Sequence, residues 1–321
     1  MIRTWIVRAF LLVLTACGSL FITDARAEDG EKSILMLLWR GRTETEVLFY
    51  RRLQELGVKA HFTEIDPHQN RSDLAGKVHA LESDFAQHKY DLIYTYGTTA
   101  TEVANGAVRG RIPILFDVVF DPVFAKFVTA DGVPTGRLSG VTNGTPVPAQ
   151  LDAFHKLVPF RSLCLIFSSR EPNLSTVLDA TKAWTRQNGV KLILRRVAPS
   201  APEAMDKTIA DLKSGALTVD AIYGATDTYV AGKAAEIKAA VGDRIPLFGG
   251  TDTFVLRGWL ATYSPTLEDM GFSAAALTAK VLAGADISTL PAILPQAHYI
   301  LSRSSARALG VEVPADAILR P

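Results

Sequence analysis

Residues 90–119 have the sequence YDLIYTYGTTATEVANGAVRGRIPILFDVV and predict the fold. Two apolar runs, residues 90–96 and 112–119, have the length of buried strands, and residues 100–108 between them suit a helix. A strand, a helix and a second strand in this order form the β-α-β unit of a parallel sheet. We therefore predict an α/β fold built from repeats of this unit.

The same alternation continues on both sides of this stretch. Further apolar runs predict strands at residues 33–39, 58–65, 162–167, 191–195, 220–224 and 245–248. Residues 131–148 separate the two series and are rich in glycine and proline, which indicates a passage between lobes. We predict two Rossmann-like lobes with parallel sheets joined by a hinge. The first lobe would comprise residues 31–143 plus about 254–282, and the second 144–253 plus about 283–321, with crossings near 140–148, 249–253 and 283–293.

Size and charge restrict the function. The chain has 321 residues, 48% of them hydrophobic, which is enough for two cores. Lysine and arginine number 34 and acidic residues 33, so the net charge of +1 gives no basic field for nucleic acid. We expect a monomer with no nucleic-acid partner and no cofactor.

The N-terminal segment predicts export. Arg3 and Arg8 precede an apolar stretch at residues 9–22, and Ala25-Arg26-Ala27 then supplies a small-residue cleavage site. This pattern predicts a signal peptide at residues 1–27 and a periplasmic location. An alternative stays open, because the sequence LTAC that ends at Cys17 is similar to a lipoprotein signal, and Cys17 would then carry a lipid anchor.

Polar residues follow the predicted strands, at the edge where open parallel sheets bind ligands. The candidate ligand-binding residues at these strand ends are Trp39, Arg40, Thr98, Thr99, Asp121, Ser168, Ser169, Thr226, Asp227, Thr251 and Asp252. The hydroxyls near helix N-termini suit a carboxylate or another anion, and the aspartates suit an ammonium group. Serine, threonine and aspartate are also the preferred helix caps, so each position has a structural alternative. Trp39 has two interpretations, a core residue closing a strand or a surface for a ligand ring.

Six segments resemble, in order, the ABC transporter substrate-binding protein family that includes periplasmic tryptophan- and tyrosine-binding proteins. They are VFDPV at 119–123, LSGVT at 138–142, AIY at 221–223, IPLFG at 245–249, GWLATY at 258–263 and YILSRSSARALG at 299–310. The resemblance implies a type I periplasmic binding fold and a cleft that captures a small molecule. It also implies an ABC permease and ATPase complex as the partner. Residues 39–42 depart from the Gln- and His-containing segment of members that bind aromatic amino acids, so the ligand stays open.

The sequence lacks the common motifs of enzymes. The sequence has no nucleophile elbow, no HExxH and no Walker loop, and its six histidines are not spaced as metal ligands. We therefore expect a binding protein with no catalytic residue and no metal, whose ligand is a small molecule such as an amino acid or an aromatic acid. The alternative function is a ligand-sensing periplasmic protein that docks on a receptor or sensor kinase.

Overall fold

The computed structural model describes residues 30–169 and 174–321, and within them the chain forms two β-sheets whose strands alternate with helices along the chain. The predicted signal peptide, Cys17 and the cleavage site lie outside the described residues. Each sheet with the helices packed on it is called a lobe below. None of the described helices is long and apolar enough to cross a membrane.

The first sheet has the strand order β2-β1-β3-β4-β5, and every pair in it is parallel. Its strands are β1 (Lys32–Leu37), β2 (Ala60–Ile65), β3 (Leu92–Tyr96), β4 (Ile114–Val119) and β5 (Leu138–Thr142). The helices along this part of the chain are α1 (Glu44–Glu55), α2 (Arg71–His79), α3 (Glu82–Ala86) and α4 (Gly97–Val108). The β-α-β unit predicted from residues 90–119 is confirmed as β3, α4 and β4.

Alternation along the strands places apolar side chains in two cores, one on each face of the first sheet. In β1, Ile34 and Met36 belong to one buried cluster, whereas Leu35 and Leu37 belong to the other. Successive side chains of a strand point to opposite faces, so a continuous apolar run indicates a sheet that is covered on both sides.

The second sheet has seven strands in the described part of the chain, in the order β12-β11-β10-β9-β8-β6-β7. They are β6 (Ser162–Ser168), β7 (Lys191–Val197), β8 (Ala221–Gly224), β9 (Leu247–Gly249), β10 (Ala261–Ser264), β11 (His298–Ser302) and β12 (Ile318–Arg320). The helices before and between them are α5 (Val147–Leu157), α6 (Leu174–Gln187), α7 (Pro202–Ser214), α8 (Thr228–Gly232), α9 (Ala234–Val241) and α10 (Asp252–Val255), followed by α11 (Leu267–Leu282) and α12 (Arg303–Leu309). All neighbouring strands are parallel except β10 and β11.

Helix α11 returns to the first lobe although it follows a strand of the second. It packs on α1 and also contacts β4 and β5. Gly271 allows this close approach, because a Cβ atom there would lie 2.7 Å from the carbonyl oxygen of Thr45. An alanine at this position would force the two helices apart.

The expected positions of two crossings need correction. Residues 254–264, expected in the first lobe, contribute the end of α10 and β10 to the second, because β10 pairs with β9 and β11. Residues 283–293, expected in the second lobe, stay with the first, where the backbone N–H of Thr142 donates to the carbonyl of Ile293 at 2.8 Å. The chain therefore passes between the lobes at residues 143–146, 265–266 and 294–297.

Candidate functional site

A cleft with about 550 Å³ of atom-free space, part of it open to solvent, lies where strand ends of the two sheets meet. Its walls come from residues that directly follow β1, β3, β5, β8 and β9, and from the end of β4. The lining residues are Trp39, Arg40, Tyr96, Gly97, Thr98, Thr99, Val118, Phe120, Asn143, Thr226, Asp227, Thr228, Ala231 and Thr251. Seven of the eleven candidate residues therefore line one cavity.

Arg40 places a cation in this cleft. Its Nη2 donates a hydrogen bond of 2.8 Å to the hydroxyl of Tyr96, whose ring centroid lies 5.2 Å from the guanidinium carbon. Burial by itself would lower the pKa of Arg40, but the nearby Tyr96 and Glu46 hold that pKa above its ordinary value. The Nε atom is shielded from solvent and has no hydrogen-bond partner among the described residues. Arg40 thus retains a donor for an anionic ligand group.

The N-terminus of α4 contributes a second feature suited to an anion. Gly97, Thr98 and Thr99 form its first turn and line the cleft. The residue before the helix, Tyr96, provides no side-chain cap for the exposed backbone N–H groups. Free N–H groups and the helix dipole attract a carboxylate, and Arg40 lines the same cavity.

Asn143 is a candidate residue that the sequence reasoning missed. It follows β5 directly and is only 1% exposed, yet neither Nδ2 nor Oδ1 of its carboxamide has a partner among the described residues. Buried polar atoms are nearly always hydrogen-bonded, so an unpaired carboxamide on a cleft wall is suited to a ligand that both donates and accepts. Its position after an apolar strand was the available signal, but it was hidden within the glycine- and proline-rich stretch 131–148.

Asp227 lies in the wall formed by the second lobe and also caps α8. Its Oδ1 accepts from the backbone N–H of Val230 at 2.9 Å, and its Oδ2 accepts from the backbone N–H of Ser168. Burial raises the pKa of Asp227 to about 6, against the lowering effect of these hydrogen bonds. The capping interpretation is therefore correct for this residue, which also lines the cleft.

Ser168 lies in a neighbouring groove that shares Trp39 and Thr99 with the cleft. Trp39 is partly exposed and lines both spaces, so its indole is accessible to a ligand as well as packed against the first lobe's cores. The cleft and this groove therefore adjoin each other at Trp39 and Thr99.

Three further candidate residues line neither the cleft nor this groove. Ser169 forms a backbone hydrogen bond of 3.0 Å with Val197 beside β7. Asp121 accepts from the backbone N–H of Phe124 at 2.9 Å and from the Thr176 hydroxyl at 3.3 Å, so it joins a turn to α6.

Asp252, the third of these, is completely buried in an ion pair. Arg320 lies 2.6 Å from Asp252 and 2.8 Å from Glu268 through the same Nη2. Burial raises the pKa of Asp252, whereas Arg320 opposes that rise. The ion pair with Arg320 therefore gives Asp252 a structural role. A metal site is not indicated either, because the described residues contain no group of acidic, histidine or cysteine side chains suited to a metal ion.

One family of known proteins matches most of the chain. The sequence profile of the family described as ABC transporter substrate binding protein matches residues 42–321. A tyrosine-binding protein of Clostridioides difficile is 24% identical over 267 residues, which are 82% of this chain and 76% of that protein.

Solved structures share the fold. A Streptococcus pneumoniae ABC domain in complex with L-Trp aligns with a TM-score of 0.74 at 20% identity, covering 89% of this chain and 97% of that chain. A conserved domain protein from Vibrio cholerae aligns with a TM-score of 0.76 at 20% identity, covering 90% and 99%. At these identities the structures establish a shared architecture of two lobes, and the predicted type I periplasmic binding fold is confirmed.

Proposed function

Because this chain belongs to the ABC transporter substrate-binding proteins, we propose that it captures a small molecule between its lobes and presents it to an ABC importer. The observation that carries the proposal is the buried carboxamide of Asn143, which has no partner among the described residues and lines the cleft. A binding protein keeps such groups unpaired because the ligand completes their hydrogen bonds. No bond of the captured ligand is made or broken.

The ligand class follows from the charges around the cleft. Arg40 and the uncapped start of α4 suit a carboxylate on the side of the first lobe. Asp227 on the side of the second lobe suits an ammonium group once it is ionised. An α-amino acid carries both groups on adjacent positions, and the Asn143 carboxamide can serve either of them.

Apolar surface in the cleft favours an aromatic side chain on this amino acid. Trp39, Val118 and Phe120 line the same space, and an aromatic ring gains most from burial against such surfaces. The relative from Clostridioides difficile binds tyrosine by its name, and the Streptococcus pneumoniae domain was crystallised with L-Trp. We propose an aromatic amino acid as the ligand.

Closure of the two lobes would convert binding into a signal for the importer. We assign residues 31–142 with 267–293 to the first lobe and 147–264 with 298–321 to the second. Glu44 and Arg257 form an ion pair of 3.5 Å between the lobes, and Asp121 and Thr176 form a second polar contact between them. A ligand that contacts both walls shifts the equilibrium towards this closed arrangement, which the permease and ATPase complex would recognise.

Localisation and assembly complete the proposal. We propose that residues 1–27 direct export to the periplasm, with lipid anchoring at Cys17 as the alternative. The partners are the small ligand and the transporter complex, and the protein acts as a monomer.

A thermal-shift screen tests the function. The purified protein is mixed with each amino acid, with aromatic acids, and with sugars that include myo-inositol and galactose, because a ligand selective for the native state raises the melting temperature. We expect the largest shift with an aromatic amino acid. Arg40→Met should abolish that shift, whereas Arg42→Met, which removes a cation paired with Glu64 outside the cleft, should preserve it.

Each outcome of the screen is informative. A shift with sugars alone would overturn the amino-acid ligand and keep capture by the cleft. A shift that persists equally in Arg40→Met would move the binding site elsewhere. The absence of a shift with every compound would contradict capture of these small-molecule classes.

A further inference from the structure

Beneath the cleft, three buried side chains of the first lobe share too few hydrogens. Glu46 on α1, Tyr94 on β3 and Asp117 on β4 are each 0% exposed. The hydroxyl oxygen of Tyr94 lies 3.0 Å from Oε1 of Glu46 and 3.1 Å from Oδ2 of Asp117. A phenol has one hydrogen to donate, so it satisfies one carboxylate, and the other contact needs a proton on the carboxyl group. Two ionised carboxylates in a dry core would also repel each other.

The surrounding donors indicate which carboxyl group carries this proton. Oε2 of Glu46 accepts from the backbone N–H of Thr43 at 2.7 Å and from the Thr43 hydroxyl at 2.5 Å, within the capping box that begins α1. Oδ1 of Asp117 accepts from the backbone N–H of Val118 at 2.8 Å. Glu46 therefore has more donors and the favourable end of a helix dipole, so it is the better place for the negative charge. The proton resides on Oδ2 of Asp117, which donates to Tyr94, and Tyr94 donates to Glu46.

The charges that face this chain of hydrogen bonds agree with the assignment. Burial raises the pKa of Asp117 to about 8, and the nearby Glu46 adds to that rise. Burial also raises the pKa of Glu46. The other charged or titratable groups that interact with Glu46 or Asp117 are Arg40, Arg42, Tyr50, Tyr94 and Tyr96.

Helix α11 also packs on α1 and β4, but its own ionisable side chains are directed elsewhere. Glu268 pairs with Arg320, Asp269 accepts from Thr266, and Lys280 is exposed. The charged groups around the buried carboxyl groups of Glu46 and Asp117 are therefore Arg40 and Arg42.

The backbone connects Asp117 to the cleft wall. Val118, the next residue, has a left-handed φ of 57°, which is strained for a β-branched residue, and the register with β5 shifts between Phe116 and Val119. Its side chain lines the cleft, and its N–H is held by Asp117. Strained backbone of this kind persists where neighbouring interactions fix it, so a change in the charge of Asp117 acts directly on Val118.

We propose that the first lobe stores a single proton on the chain formed by Asp117, Tyr94 and Glu46, and that release of this proton reshapes the cleft wall at Val118. The device goes beyond ligand capture and does not depend on which ligand is bound. Loss of the proton leaves two buried carboxylates with one shared hydrogen, and their repulsion displaces Asp117 together with Val118.

Infrared spectroscopy in deuterated buffer tests the stored proton directly. The wild-type protein at about pH 7 should show the carbonyl band of a protonated carboxylic acid, which should disappear with a midpoint near pH 8. Asp117→Asn should lack this band because asparagine has no carboxyl group, and its amide can still donate to Tyr94 in place of the protonated acid. Asp91→Asn, a change at a solvent-exposed aspartate of the same lobe, should retain it. A wild-type spectrum without the band, or a band unchanged in Asp117→Asn, would overturn the proposal.

Tryptophan fluorescence tests the effect on the cleft. Trp39 lines the cleft, whereas Trp184 and Trp259 are 3% and 0% exposed in the second lobe. The Trp39 signal is obtained by subtracting the spectrum of Trp39→Phe, and it should change between about pH 7 and about pH 9, around the pKa of about 8. The Trp39 signal should not change with pH when the wild type and Trp39→Phe both also carry Asp117→Asn. If the Trp39 fluorescence of the wild type does not change with pH although the infrared band titrates, the link between the stored proton and the cleft wall is refuted.

Discussion

Replacing Asn143 by alanine should leave the ligand-free protein at least as stable while weakening ligand binding. The carboxamide is 1% exposed, and both of its polar atoms lack partners among the described residues. A buried polar group without a hydrogen bond costs roughly 1–3 kcal/mol, and truncation removes that cost. Loss of the packing made by the carboxamide offsets part of the gain, so we expect about 1 kcal/mol of stabilisation at most. For a chain of this size, that corresponds to a melting temperature higher by about 1.5 °C at most.

The affinity should change in the opposite direction. The carboxamide can make two hydrogen bonds to the ligand, each worth about 0.5–1.5 kcal/mol. Their loss amounts to about 1–3 kcal/mol, which raises the dissociation constant roughly 5- to 150-fold. Most buried polar residues show the reverse behaviour, because their removal breaks bonds within the protein and lowers stability.

Two measurements on the same preparations check this prediction. Urea unfolding without ligand gives the free energy of unfolding, and titration calorimetry with the compound selected by the screen gives the dissociation constant. Asn105→Ala is the matched control, since Asn105 is exposed on α4 and does not line the cleft. A variant Asn143→Ala that loses more than about 1 kcal/mol of stability and keeps its affinity would refute the reasoning, because the carboxamide would then serve the fold.

Three further predictions concern the ion pair, the pH dependence and the sheet. Arg320→Met should lower the free energy of unfolding by roughly 3–5 kcal/mol in urea titrations, because it leaves the fully buried Asp252 charged and unpaired. Recovery of stability on adding Asp252→Asn would confirm the cause, and an unchanged unfolding midpoint in Arg320→Met would contradict it. The folded pKa of Asp227 is raised to about 6 from an ordinary 3.8, so its contribution to stability is present at low pH and is lost as the pH rises through about 6. The affinity for the ammonium group of an amino acid should rise over the same interval, because Asp227 becomes ionised. Calorimetry at several pH values should show this rise for the wild type and a flat affinity profile for Asp227→Asn, and parallel profiles would speak against the role. Gly140→Ala should prevent correct pairing of β4 and β5, because its Cβ would lie 1.8 Å from the carbonyl oxygen of Phe116; a soluble variant with wild-type circular dichroism and melting temperature would show that the sheet tolerates the side chain.

Local patterns predicted most of the elements up to residue 249. The runs at residues 90–96, 112–119 and 162–167 correspond to β3, β4 and β6 within two residues at each strand end. Each is an apolar stretch between turn residues and buried on both faces, so its own composition is sufficient to identify a strand. The two series of strands separated by residues 131–148 also indicated two lobes, which the two sheets confirm.

The passages between lobes could not be derived in the same way. Strand β10 has four residues, Ala261–Ser264, and nothing in so short a run tells which sheet it joins. Its membership is decided by pairing with β9 and with β11, whose His298 lies opposite Ser264. Long-range pairing of this kind depends on partners far along the chain, so the crossings expected at 249–253 and 283–293 were wrong.

The site shows the same division between sequence and structure. The principle that ligands bind beyond the carboxyl ends of parallel strands was sufficient to bring Trp39, Arg40, Thr98 and Asp227 together as candidates, and all four line the cleft, because strand ends can be recognised from the sequence. The tertiary structure alone decided which polar groups stay unpaired. Asp252 is neutralised by Arg320, which lies 68 positions along the chain, whereas Asn143 has no partner among the described residues. A side chain's chemistry is written in the sequence, but whether its hydrogen bonds are satisfied depends on neighbours that only folding brings within 3 Å or so.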